Sequence, residues 1–264
     1  MRYKNSGLLT ALVCLACGSA NAALIAHYTF NGTLADSGTS GGTATLGKNG
    51  SLSSSVSAVG SGALELRNNS GTDTSGLDGA VSGNNFALGT GARTVAFWLK
   101  AEGTLDASAT MIALGDSGAN GGRYDIALSG GNLRLEVQGG GTTTSVALGG
   151  GNWFHVTVAT ALGGTVGSSQ YYVHNTDGTL NASGAFGGSS TAVNTRNNRL
   201  RMGDSIQDTS RDFVGYLDDV RLYDSVLTQS EAQGLAAIWS PVPEPTAALL
   251  GALGLLTLLR RRRN

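Results

Sequence analysis

Cysteine is all but missing from this 264-residue sequence, and the two present, Cys14 and Cys17, both fall within the first 17 residues. A chain trimmed of that stretch can use neither disulfides nor thiol chemistry. Charge is scarce as well, at 13% of residues. Residues 23–240 carry 17 acidic and 11 basic side chains, a net charge of −6, although the whole chain stands at −1. That balance argues against a nucleic-acid or anionic-membrane surface. Histidine is limited to His27, His155 and His174, which have no metal-ligand spacing. Proline occurs only at Pro241, Pro243 and Pro245, where it fences off the C-terminal tail. What the chain has in abundance is glycine, 41 residues, with Ser, Thr, Asn and Ala filling much of the remainder. Such a composition is compatible with disorder, but the apolar residues alternate too regularly for that.

The two ends are unlike the body. At the N-terminus, Arg2 and Lys4 precede an apolar stretch from Leu8 to Cys17 and then Ala20-Asn21-Ala22. This order is expected of a secretory signal peptide over residues 1–22, cut after Ala22, with an apolar core too short to span a bilayer about 30 Å thick. A lipoprotein reading of Cys17 meets Cys14 three residues earlier, where a leucine is usual. At the other end, residues 241–264 hold an uncharged run from Thr246 to Leu259, closed by Arg260, Arg261, Arg262 and Arg263. As a helix, fourteen residues rise roughly 21 Å, short of the hydrocarbon core. The run is therefore a marginal transmembrane helix, helped by snorkelling arginines that stay on the cytoplasmic side.

Val242-Pro243-Glu244-Pro245, the short apolar helix and the terminal arginines together resemble a PEP-CTERM sorting signal. The resemblance implies a Gram-negative source, an inner-membrane-anchored precursor, an exosortase-type processing partner, and delivery to the cell surface or extracellular matrix. The prolines fit this, since they hold an extended, accessible segment beside the membrane.

Between the ends, residues 23–240 are expected to form one all-β domain. In "NLRLEVQ" Leu133, Leu135 and Val137 share a face opposite Arg134, Glu136 and Gln138, the period of two of a half-buried strand. "WFHVTVA" sets Phe154, Val156 and Val158 against Trp153, His155 and Thr157. "RTVAFWLK", "RYDIALS", "QYYVHN" and "NRLRMG" read similarly, with turns at "GDSGANGG", "SGGN" and "QGGG". Many short strands so spaced predict a β-sandwich or jelly roll. The last body segment predicts a strand, a turn and one short helix, with Thr228 as N-cap and Glu231 completing a capping box.

"LIAHYTFNGTLADSG", "TVAFWLKA", "WFHVTV" and "GYLDDVRLY" together resemble a laminin-G-like domain of the concanavalin A-like lectin/glucanase superfamily. The resemblance implies a jelly-roll β-sandwich opening on an aromatic strand and the turn Asp36-Ser37-Gly38, and closing on the strand from Gly215 to Tyr223. It covers most of residues 24–239, and Thr39 to Ala92 fits it poorly.

Several candidate sites follow. "GDSG" at Gly115 to Gly118 and "GTSGG" at Gly38 to Gly42 match serine-nucleophile patterns, but neither has the histidine or strand-to-helix setting that a triad requires. Glycosidases on such sandwiches need two carboxylates about 5–9.5 Å apart. "RLEVQ" offers only Glu136, and a pair from separate strands is invisible to spacing. The family resemblance further implies one structural calcium ion held by Asp36 with Asp218 or Asp219. The alternative is that Asp36 caps its own turn and the paired aspartates are solvated. Trp98, Trp153 and Tyr172 either stack on sugar rings or, as their place in packing motifs favours for the tryptophans, sit in the core. The expected function is a non-catalytic module, binding extracellular polysaccharide or acting in adhesion. A polysaccharide hydrolase or lyase and a passive matrix protein are the alternatives.

Overall fold

The computed structural model describes residues 22–67, 79–103, 108–206 and 211–239. The signal peptide, the sorting motif Val242 to Pro245, the apolar tail and Arg260 to Arg263 lie outside the described residues, apart from Ala22. In chain order the elements are β1 (Leu24–Tyr28), β2 (Thr45–Leu46), β3 (Gly50–Ser53), β4 (Ala63–Leu66), β5 (Ala80–Phe86), β6 (Arg93–Ala101), β7 (Ser108–Gly115) and β8 (Arg123–Ser129). There follow β9 (Asn132–Val137), β10 (Gly140–Ala147), β11 (Trp153–Thr160), β12 (Gln170–His174), β13 (Leu180–Ala185), β14 (Asn198–Met202), β15 (Gly215–Tyr223) and α1 (Gln229–Ala236).

These strands form a sandwich of two antiparallel sheets, consistent with a jelly roll. One sheet runs β13-β12-β11-β6-β15-β4-β3, with β1 also paired to β15; the other runs β10-β9-β8-β7-β14-β5-β2. The poorly matching stretch resolves into strands shared between them, since β2 and β5 join the second sheet while β3 and β4 join the first. The inward rows supply a single large core, to which Leu133, Leu135 and Val137 of β9 and Val156 and Val158 of β11 all contribute. Burying such a row removes apolar surface worth about 25 cal/mol per Å², which fixes register because a one-residue slip would expose it.

The alternation is only half the account. His155 and Thr157 of β11 and Trp98 of β6 point away from that core yet are fully buried. A second cluster explains the tryptophan: Trp98, Ala58 and Ala236 pack together with Val59, Trp153 and Trp239 on the outer face of the eight-stranded sheet. The capping box that starts α1 is present at Thr228 and Glu231, and α1 lies against β12. The outer face of the eight-stranded sheet is thus covered where α1 and the tryptophan cluster lie. No helix among the described residues covers the other sheet, and none is long and apolar enough to cross a membrane.

Candidate functional site on the seven-stranded sheet

Alternation turns Arg134 and Glu136 of β9 outward, and the antiparallel register sets Asp125 of β8 directly opposite Glu136. Arg211, whose carbonyl accepts from Thr110 N at 2.8 Å, comes over the same spot. Three guanidinium groups then converge on one carboxylate. Arg123 Nη2 donates to Glu136 Oε1, Arg211 Nη1 donates to the same oxygen at 3.0 Å, and Arg134 Nε donates to Oε2 at 2.8 Å. Burial pushes the Glu136 carboxyl up, but the Arg134 hydrogen bond and the Arg123 and Arg211 charges outweigh it and hold the group below its usual range. Asp125 is fully buried, its Oδ2 3.2 Å from Arg123 Nε. Burial pushes its carboxyl up to about 7, against the Arg123 charge.

Above this cluster lies a depression of about 440 Å³ lined by Arg123, Arg134, Glu136, Arg211, Gln138 and the edge glycines Gly139, Gly140 and Gly141. Gly141 is the register partner of Glu136. A Cβ there would lie 2.7 Å from Arg134 Nη2 and 3.1 Å from Glu136 Cγ, so glycine keeps the depression open. Among the described residues no aromatic side chain lines it. Glu136 and the strand carrying it were legible in the sequence; Asp125 and Arg211 were not, because only register and a crossing loop bring them there.

The predicted calcium ligands lie elsewhere, on the eight-stranded sheet. Asp36 Oδ1 accepts from His27 N and Gly38 N, each at 2.7 Å, and Oδ2 accepts from Ser40 Oγ. Asp218 Oδ2 accepts from Ala58 N at 2.8 Å and Val59 N at 2.9 Å, while Oδ1 accepts from Asp219 N at 2.7 Å. Asp219 pairs with His27 Nε2 at 2.6 Å and Arg221 Nη2 at 3.0 Å. These carboxylates face N–H and O–H donors and cations rather than one another, and no group of three or more His, Cys, Asp or Glu among the described residues could hold a metal ion. The arrangement does not fit calcium, which takes six to eight oxygens around one point. It fits a joint: β15 leaves β4 after Leu217 and pairs with β1 from Val220, and Asp219 absorbs the change at φ 50°. An aspartate tolerates that left-handed conformation better than most residues.

The same corner holds a serine, a histidine and an aspartate in sequence, since Ser37 Oγ lies 3.0 Å from His27 Nδ1. Its neighbouring amides are already committed. Ser37 N donates to His27 O, Gly38 N to Asp36 Oδ1, Thr39 N to Leu24 O and Ser40 N to Ile25 O. Among these described amides no donor pair is left for an oxyanion, and the constellation ties β1 to β15. Ser117 of "GDSG" lies beyond the end of β7, whereas His27, His155 and His174 all belong to the other sheet.

Trp98 and Trp153 belong to the cluster beneath α1, and neither lines the depression. Tyr172 is half-buried on β12, also outside it.

The model of a family described as "Concanavalin A-like lectin/glucanases superfamily" matches residues 73–233, more than half of the sequence. The chain belongs to this superfamily. Among solved structures, domain 4 of AbnA, a GH43 extracellular arabinanase from Geobacillus stearothermophilus, in complex with arabinotriose, is 21% identical with a TM-score of 0.57, covering 81% of this chain and 98% of that one. The botulinum neurotoxin type G receptor binding domain is 13% identical with a TM-score of 0.54, covering 82% of this chain and 51% of its own. The binding domain of Paraclostridial Mosquitocidal Protein 1 is 13% identical with a TM-score of 0.56, at 81% and 52%. This chain spans about half the length of the two toxin domains, and at these identities the likeness is one of fold. No curated protein matches the sequence.

Proposed function

We propose that this chain is an exported, non-catalytic glycan-binding or adhesion module, routed through a PEP-CTERM/exosortase pathway to the cell surface or extracellular matrix. The observation that carries the binding reading is the depression on the outer face of the seven-stranded sheet, a concave polar patch of about 440 Å³ built on the β8–β9–β10 ladder, within the range of about 300–1,000 Å³ typical of small-ligand sites. The route rests on the signal-peptide pattern at residues 1–22 and on Val242 to Pro245 with the arginines that follow. The similar domain found with arabinotriose makes a glycan a reasonable first ligand class, although a shared fold does not carry function by itself.

One observation favours a second reading, a polysaccharide hydrolase: Asp125 and Glu136 are adjacent carboxylates whose ionisation is pushed in opposite directions. Access weighs against it, because Asp125 is fully buried and Glu136 is held by three arginines. Neither is free to protonate a glycosidic oxygen.

Calorimetric titration of the full chain with the producing organism's own extracellular polysaccharide, alongside an assay for new reducing ends, tests the proposal. Saturable heat without new ends is the expected result. New reducing ends would favour the hydrolase, and no heat would leave a passive matrix protein.

A further inference from the structure

We infer that the depression recognises an acidic glycan through its anionic substituent, with Arg123, Arg134 and Arg211 as the specificity-determining residues. This deepens the glycan reading and rests on it. Three features of the site carry the inference.

The first is charge. Three guanidinium groups line the depression against one carboxylate, Glu136, in a body whose net charge is −6. The lining is a local excess of positive charge on an otherwise acidic module, and an anion is drawn there rather than elsewhere.

The second is an available donor. A guanidinium offers five N–H donors. Arg134 is about a quarter exposed and spends Nε on Glu136 and Nη1 on Thr143. Its Nη2 has no hydrogen-bond partner among the described residues and lies at the rim beside Gly141, where a ligand oxygen can reach it. Arginine also matches carboxylate and oxyanion geometry through paired N–H bonds.

The third is the lining. Among the described residues the depression has no aromatic wall on which a neutral sugar could stack, and Gly139, Gly140 and Gly141 keep its rim low so that a polymer can lie across it. Recognition is left to polar and ionic contacts.

The test uses the full chain and three probes: polygalacturonate, the same polymer with its carboxyls reduced to alcohols, and dextran sulfate. Polygalacturonate is expected to bind at least tenfold more tightly than its reduced form, and to weaken as salt is raised. Arg134→Ala and Arg211→Ala are each expected to weaken it about tenfold, since a hydrogen bond to a charged group is lost. Their side chains are 26% and 23% exposed, so each substitution threatens folding less than Arg123→Ala, whose side chain is 4% exposed; a thermal melt of each variant checks that it is folded. Dextran sulfate identifies the source of the anion: tighter binding there, with the same dependence on Arg134 and Arg211, assigns the site to sulfated glycans rather than uronates. Equal binding of the reduced polymer, or binding of any probe that ignores both substitutions, would overturn the inference while leaving a glycan-binding module. Absence of binding by every probe overturns the inference too, and the titration with the native polysaccharide then decides whether the broader reading falls with it.

Discussion

Asp125 and Glu136 face each other across the β8–β9 ladder and meet opposite fates. Glu136 reaches the depression and is held ionised by three arginines, whereas Asp125 is sealed beneath them with its carboxyl pushed up to about 7. The pair is therefore a scaffold for the arginines rather than an acid and a base working across a bond. The depression inherits positive character from this arrangement, which underlies its proposed role.

Asp125 gives the first prediction, in stability. Its folded value of about 7 lies above the ordinary 3.8 of an aspartate, so the folded state binds the extra proton between those limits. Its contribution is fully present below about pH 4 and is lost as pH rises through about 7. Asp125→Asn stays neutral throughout and should lack that loss. Denaturant unfolding of both proteins at pH 4.5 and 7.5 checks this, and a parallel response of variant and parent would contradict it.

His155 works in the other direction. Burial, with His174 and Arg221 adding to it, pulls its folded value down to about 3 from 6.5. The unfolded chain then binds more protons between those limits, so its stabilising contribution is present above about pH 6.5 and is lost as pH falls toward about 3. All three tryptophans of the chain lie in one cluster, and Trp98 stacks edge-on to His155 with ring centroids 5.2 Å apart. Tryptophan emission should shift to the red over that acid range, while His155→Phe moves the shift to lower pH. An identical acid midpoint in the variant would refute the assignment.

For Asp36, Asp218 and Asp219 the expectation is structural. Removing calcium with a chelator should leave the melting temperature unchanged, because their oxygens already serve N–H and O–H donors and cations. Asp218→Ala should cost about 2–4 kcal/mol by stranding buried amides such as Ala58 N. A melting temperature that falls sharply in chelator would show a metal at this joint.

Gly141 controls access to the depression. Its backbone needs no left-handed φ, and the atoms an added side chain would meet are side-chain atoms of Arg134 and Glu136. Gly141→Leu should therefore change stability by no more than about 1 kcal/mol while weakening glycan binding tenfold or more. Thermal melts and titration of the same preparation separate the two effects.

Much of the frame was legible in the sequence. The alternation in β9 and β11 placed the core rows correctly, and the Thr228–Glu231 capping box announced α1. These signals are local, spanning only a few residues. The site was legible in fragments. Glu136 stood out as the lone glutamate of its strand, but Asp125 lies eleven residues earlier and meets it only through register. Arg211 arrives from seventy-five residues away. Burial of the outward row in β11, and the tie between Ser37, His27 and Asp219, depend equally on packing between distant segments. Pattern reading also took Trp98 and Trp153 as core residues, and they lie together in the packed cluster beneath α1, away from the depression.

Glycan is proposed to bind at the Arg134–Arg211 depression, on the outer face of the seven-stranded sheet. Amide hydrogen exchange of the full chain, with and without saturating native polysaccharide, tests it most directly. Binding at the depression predicts slowed exchange in β9 and β10, at Arg134 and from Gln138 to Gly141, with β12 and β13 unchanged. Protection confined to the α1 side of the sandwich, or none at a saturating ligand concentration, would contradict it.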